Sequence, residues 1–181
     1  NNITYHSVAD GVSSDSKSMI NLIDSIKSNK IDTLLVFDLD FYHLFSHYFD
    51  KEISSLVNII YLGSHNDITA ENAYWSIPKS HYLESWGDAI SIDGTISIIQ
   101  PLIAPLYDSI SINEMISLFI NDQKTDYDIL RENWKSNIIK TDFSSKWRRA
   151  IHDGHLEGTE TSNIVSAKKN MFKNVYNTFS K

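Results

Sequence analysis

Apolar positions recur at different spacings along the chain, and each spacing predicts a different element. Met19, Ile20, Ile23 and Ile26 fall at helical intervals behind Ser14 or Asp15 as a cap, predicting a helix that ends at Asn29-Lys30. Thr33-Leu34-Leu35-Val36-Phe37 is a short unbroken apolar run, the pattern of a strand buried on both faces. After Asp38-Leu39-Asp40 an aromatic amphipathic segment reaching about Tyr48 predicts a helix. Residues 56–62 predict a second buried strand ended by Gly63, residues 69–74 a helical turn, and Trp75-Ser76-Ile77 a third strand stopped by Pro78. Helix, strand, helix, strand, turn and strand with short connections predict an α/β layer around a mainly parallel sheet.

Residues 77–107 break this rhythm. All three prolines (Pro78, Pro101, Pro105) and two of the six glycines fall here, interleaved with aromatic, acidic and histidine side chains. Proline fixes φ and removes a donor while glycine permits positive φ, so one particular irregular path is expected. A long shaped loop on a periodic scaffold is where function tends to lie. Beyond it, residues 112–120 predict an amphipathic helix capped by Ser111 or Asn113. Residues 127–139 and 143–151 predict two more, and His152-Asp153-Gly154 ends the last. Residues 1–13 and 155–181 are polar and weakly periodic. The expectation is one domain over 1–159 and a C-terminal arm over 160–181, with helix around 167–179.

Composition narrows the function classes. An apolar share of 41% and an aromatic share of 12% exclude whole-chain disorder. A net charge of −7 and a pI near 5.4 argue against nucleic acid as a partner. No apolar run approaches the ~20 residues of a membrane span, and no signal-peptide pattern opens the chain. A start at Asn-Asn without Met leads us to expect a processed or excised piece. With no cysteine, the chain offers no thiolate for zinc or an iron–sulfur cluster.

Candidate chemistry is sparse. Val36-Phe37-Asp38-Leu39-Asp40 after a strand resembles the start of a haloacid-dehalogenase phosphatase motif, in which Asp38 would be nucleophile and Asp40 acid/base. Phe41 and Tyr42 replace the small residue and Thr such sites want, and a carboxylate pair beside a helix N-terminus is the commoner role. His43 and His47 share a helix face without the Glu of a metalloprotease helix. His81 with Glu84, and His152 and His155 with Glu157, carry the same metal suggestion and the same structural alternative. No phosphate-cradling glycine motif and no G-x-S-x-G elbow is present. These expectations leave catalytic residues and metal ligands unassigned.

His81-Tyr82-Leu83-Glu84-Ser85-Trp86-Gly87-Asp88, Asp93-Gly94-Thr95 and Ile99-Gln100-Pro101-Leu102-Ile103-Ala104-Pro105-Leu106-Tyr107 together resemble the molybdopterin-oxidoreductase-like iron–sulfur subunit of alternative complex III, a bacterial quinol:electron-acceptor oxidoreductase. Trp147-Arg148-Arg149-Ala150-Ile151-His152-Asp153-Gly154 and residues 32–36 extend the resemblance over about 16–159. It implies the third, Rossmann-like three-layer domain of a larger subunit. Iron–sulfur clusters would lie elsewhere in that subunit, which would sit on the periplasmic face, peripheral to the membrane among other respiratory subunits. True molybdopterin enzymes carry a small-residue G-x-N-P type loop where this chain reads Phe37-Asp38-Leu39-Asp40, and two carboxylates there would repel a pyrophosphate. The resemblance therefore implies a domain that kept the fold and lost the cofactor, with Asp38, Asp40, Glu84 and Gln100 as the positions a cofactor would touch. Glu84 is expected to accept backbone N–H bonds and Gln100 to bridge two strands. His81, Tyr82, Trp86, Leu102, Leu106 and Tyr107 would form an interface with the parent subunit, or else close the domain's own core.

Overall fold

A computed structural model describes residues 16–49 and 51–160. The chain is a mixed α/β protein. Helix α1 (Ser16–Lys27) places Ile23 and Ile26 on its buried face. It ends in a left-handed Asn29, φ 54°, with Lys30 N–H on the Ser25 carbonyl and Asn29 N–H on Ile26, a Schellman arrangement that satisfies the last carbonyls. Strand β1 (Thr33–Phe37), two short helices α2 (Phe41–Leu44) and α3 (Lys51–Ser54), strand β2 (Asn58–Gly63), helix α4 (Ile68–Asn72) and strand β3 (Trp75–Pro78) follow. The three strands form a parallel sheet in the order β1-β2-β3, with Val36 beside Tyr61 and Tyr61 beside Ser76.

One face of this sheet holds the first core. Val36, Ile59 and Tyr61 pack with Ile23, Ile26, Phe41, Phe49, Ile53 and Ala70, so α1 to α4 all serve that face. On the other face lie Leu35, Ile60 and Trp75, one row across the three strands, and Leu35 and Trp75 are exposed. This corrects the expectation that β1 is buried on both faces. The expected helix up to Tyr48 shrinks to the single turn of α2, after which the chain carries Phe45 and Phe49 against Phe41, Phe45 tilted to its ring and Phe49 edge-on.

The second half builds a separate core. Residues 77–107 are less irregular than expected, since β4 (Gly87–Ile90) and β5 (Ile96–Ile99) form an antiparallel hairpin. Its turn is set by Gly94 at φ 87° and by Asp93, whose carboxylate accepts the Thr95 N–H at 2.9 Å. Helices α5 (Ile112–Phe119), α6 (Asp126–Asn133) and α7 (Phe143–Asp153) complete this half. Ser111 and Glu114 form a full capping box on α5. The expected helix over 127–139 is one helical run that widens into a π turn, Trp134–Ile138, closed by Ile139 N–H on the Trp134 carbonyl at 2.7 Å. The widening brings both Trp134 and Ile139 into the core with Ile98, Leu130, Trp147 and Ala150. Gly154, φ 79°, caps α7, so His152 and Asp153 lie in its last turn and not beyond it. Leu156 then returns to the hairpin through its N–H on the Ile96 carbonyl. The caps expected at Ser14 and Asp15 and the helix expected over 167–179 lie outside the described residues.

The halves meet where Ile110 bonds Pro78 and Ser80, extending the edge of β3 by one parallel bridge. No helix of the described residues is long and apolar enough to cross a membrane.

Candidate functional site

Two places concentrate polar chemistry. The first is the carboxyl end of the parallel sheet, where loops leave adjacent strands and side chains distant in sequence converge. Asp38 follows β1 in the left-handed region, φ 49°, which turns its carboxylate across the strand ends. Its Oδ1 accepts the Ser64 hydroxyl at 2.8 Å and the Ser64 N–H at 3.2 Å, and its Oδ2 forms a short ion pair with Lys79 from the end of β3. Burial alone would raise the Asp38 pKa, but Lys79 and Ser64 outweigh it and hold the carboxyl below its ordinary value. Asp40 does different work. Its Oδ1 accepts the His43 N–H at 3.2 Å, capping α2, and the hydroxyl of fully buried Thr69 at 3.0 Å. Thr69 also accepts the Tyr42 N–H at 3.1 Å.

Ser64, Thr69 and Lys79 were not legible as site residues, because nothing in the sequence pairs three different strand ends. The donors at this edge are already engaged: both Ser64 donors and Lys79 end on Asp38. A dinucleotide diphosphate placed here would meet a carboxylate holding the groups that ought to hold the phosphate, so these residues do not fit one. The same contacts bond Asp38 through both oxygens, Oδ1 twice and Oδ2 once.

The second place is the loop platform between β3 and α5. The Leu83 carbonyl accepts N–H bonds from Leu102 at 2.8 Å and Ile103 at 3.2 Å. Glu84 adds one clamp at each end, its Oε2 on the His81 N–H at 3.0 Å and its Oε1 on the Leu106 N–H at 3.2 Å. The expected backbone-bonding role of Glu84 is therefore present. Gln100 departs from expectation: its side-chain N–H donates to the Ile151 carbonyl at 2.7 Å, tying β5 to α7 and not to another strand. Residues 101–106 thus form a strap with a fixed backbone, yet Tyr82, Leu102, Leu106 and Tyr107 are 61–77% exposed. His81 is exposed as well, its ring against Tyr82. Trp86 turns the other way, half buried and edge-on to Tyr127 at 5.0 Å, so it packs on the second core and is not among the strongly exposed side chains of the expected set.

Beneath the strap lies a cavity of about 320 Å³, walled by Pro101, Ile103, Trp86 and Tyr127 and reached by Glu84, Glu114 and Asp126. Asp126, at the first turn of α6, accepts a short hydrogen bond from the Ser111 hydroxyl, and its N–H donates to Glu114 at 3.3 Å. Burial, opposed by the Ser111 bond and reinforced by the Glu114 charge, raises the Asp126 carboxyl to about 6. Between about pH 3.8 and about 6 the folded chain keeps a proton that the unfolded chain has released, so stability falls as pH rises through that window. Asp126→Asn should flatten this part of the Tm–pH profile and leave the variant relatively more stable at neutral pH. A profile unchanged by the substitution would show that Asp126 does not carry the dependence.

The histidine candidates do not converge. His43 and His47 are exposed, His152 bonds its neighbour Asp153 at 2.7 Å, His155 reaches the Asp153 carbonyl, and Glu157 pairs with Arg149 at 3.0 Å. Among the described residues no three potential ligands assemble into a metal site. No protein-family model and no curated protein matches the chain.

Proposed function

We propose that this chain is a non-catalytic structural and assembly domain of a respiratory electron-transfer subunit related to molybdopterin oxidoreductases. The observation that carries the proposal is the strap. Its backbone is held by Leu83 and Glu84 while Leu102, Leu106 and Tyr107 point outward, an arrangement suited to presenting apolar anchors to a neighbour. Further support comes from the resemblance of residues 81–88 and 99–107 to the alternative complex III subunit, and from the self-paired strand ends. On this proposal, the Rossmann-like three-layer form is completed in the parent, which covers the open row of Leu35, Ile60 and Trp75. The parent carries the iron–sulfur clusters, and the domain works on the periplasmic face, peripheral to the membrane, against neighbouring subunits. A cofactor-contacting domain would instead need phosphate-facing donors where Ser64 and Lys79 are engaged by Asp38. An Asp38 phosphatase draws support from the convergence of Ser64 and Lys79 on that carboxylate, but Phe41 and Tyr42 stand where such sites want a small residue and Thr.

The test replaces Leu106 and Tyr107 together by Asp in the parent subunit. Recovery of the assembled complex should fall at least about tenfold, the ~1.4 kcal/mol or more expected for losing exposed anchors that become buried at an interface. The isolated domain should melt as before. Undiminished assembly would end the proposal, and so would stoichiometric molybdenum or tungsten with pterin in the purified complex.

A further inference from the structure

We propose that the strap and the cavity beneath it form one docking surface for a cationic amphipathic polypeptide segment, whose apolar side chains cover Leu102, Leu106 and Tyr107 and whose arginine or lysine enters the cavity. This rests on the assembly proposal and adds the chemistry of the partner. The strap residues divide into two sets: Pro101, Ile103, Ala104 and Pro105 line the cavity, while Leu102, Leu106 and Tyr107 are largely exposed and do not. A segment lying along the strap therefore has an apolar track and an opening beside it.

Charge decides what enters the opening. Glu84, Glu114 and Asp126 reach the cavity, and their hydrogen-bond donors are all neutral, either backbone N–H groups or the Ser111 hydroxyl. None of the three is in an ion pair among the described residues. Asp126 is only 5% exposed, and only its Oδ1 is bonded. Asp126 lines the cavity, and its Oδ2 is not a sealed, unpartnered atom. A carboxylate that is desolvated, half satisfied and beside two others strongly favours a positive group. Trp86 and Tyr127 add ring surface on which a guanidinium can stack, while its forked N–H groups meet the carboxylates. The net charge of −7 favours approach of the same class of partner.

The probes are two synthetic helical peptides of equal length and leucine content, one with arginine and one with glutamate at the polar positions. Each is titrated into the full chain while the Trp86 indole N–H signal is followed by NMR, assigned with Trp86→Phe. The Leu/Arg peptide should shift that signal saturably and the Leu/Glu peptide should not. Glu114→Gln and Asp126→Asn should each weaken the Leu/Arg peptide about tenfold or more, as expected for removing one partner of a buried charge pair. Leu106→Ser, at an exposed position that does not threaten folding, should weaken it as well. Equal responses to both peptides, or unchanged affinity in Glu114→Gln and Asp126→Asn, overturn the proposal. Saturation by free arginine as tight as by the peptide also overturns it, because the occupant is then a small cation. If the strap aspartates block assembly while the peptides are not distinguished, the assembly domain stands and the cationic anchor falls. If assembly survives the aspartates, both fall.

Discussion

Trp134→Ala should lower stability by about 3–5 kcal/mol, the usual cost of truncating a buried tryptophan. Trp134 is fully enclosed, meets Trp147 edge to face at 5.4 Å, and donates its indole N–H to Asp88 at 2.8 Å. It therefore joins three pieces of the second core at once: the π turn, α7 and the hairpin strand β4. Deletion leaves a cavity that the closely packed rings around it refill poorly. Against a total stability of roughly 5–15 kcal/mol for an ordinary domain, that loss is large enough to unfold the second half at moderate temperature. Urea unfolding is the check, with Trp75→Ala as reference because Trp75 is 58% exposed. Equal midpoint shifts for the two variants would mean that the second core does not depend on Trp134. Trp134→Phe should fall between them, since a ring remains and exposed Asp88 can turn to water.

Gly63→Ala should cost about 2–4 kcal/mol, combining overpacking with the loss of a charged hydrogen bond. A Cβ at Gly63 would stand 2.2 Å from the ring of Tyr61. Tyr61 lies two residues earlier on the same face of β2, is buried, and leans along the strand over Gly63 to give its hydroxyl to Asp67 at 2.6 Å. Burial and that bond raise the Tyr61 pKa, while the Tyr61 hydroxyl and the Ala70 and Thr69 N–H groups hold Asp67 below its ordinary value against the opposing effect of burial. Asp67 in turn caps α4 through the Ala70 N–H at 2.9 Å. A methyl group at residue 63 thus pushes the ring away and unsettles the cap of the next helix. The mechanism predicts a specific rescue. In a Tyr61→Leu background the ring is gone, so adding Gly63→Ala should cost much less than it does alone, a coupling readable in a double-mutant cycle. Additive costs would show that the clash does not act through Tyr61.

Much of this structure was legible in residue spacing. The helical intervals of Ile23 and Ile26, the apolar runs of β1 and β2, the stop at Pro78 and the Ser111 cap each depend on a few neighbours in sequence. The β4–β5 hairpin was missed because Pro101 and Pro105 suggested irregularity throughout, whereas the local signal was the Asp93-Gly94 turn between two short strands. The π turn had no signal, since Trp134 and Ile139 follow helical spacing closely enough to suggest an unbroken α-helix. The candidate site was half legible. Glu84 and the strap could be picked out by composition, but Trp86 and Tyr82 carry the same aromatic signal and face opposite ways, and only packing against Tyr127 distinguishes them.

The sequence by itself determined the positions of most helices and of β1 to β3, the acidic balance and the absence of thiolate ligands in this chain. These depend on local backbone preference and on counts, which need no third dimension. Only the tertiary structure decided that Asp38 is held by Ser64 and Lys79, that Glu114 and Asp126 share a cavity with Glu84, and that Leu35 and Trp75 on the second face of the sheet stay exposed. Each of these joins residues from separate elements whose distance is set by strand order and helix docking. Desolvation and charge pairing act across those distances, so neither a carboxylate's protonation nor its partners can be read from its neighbours in the chain.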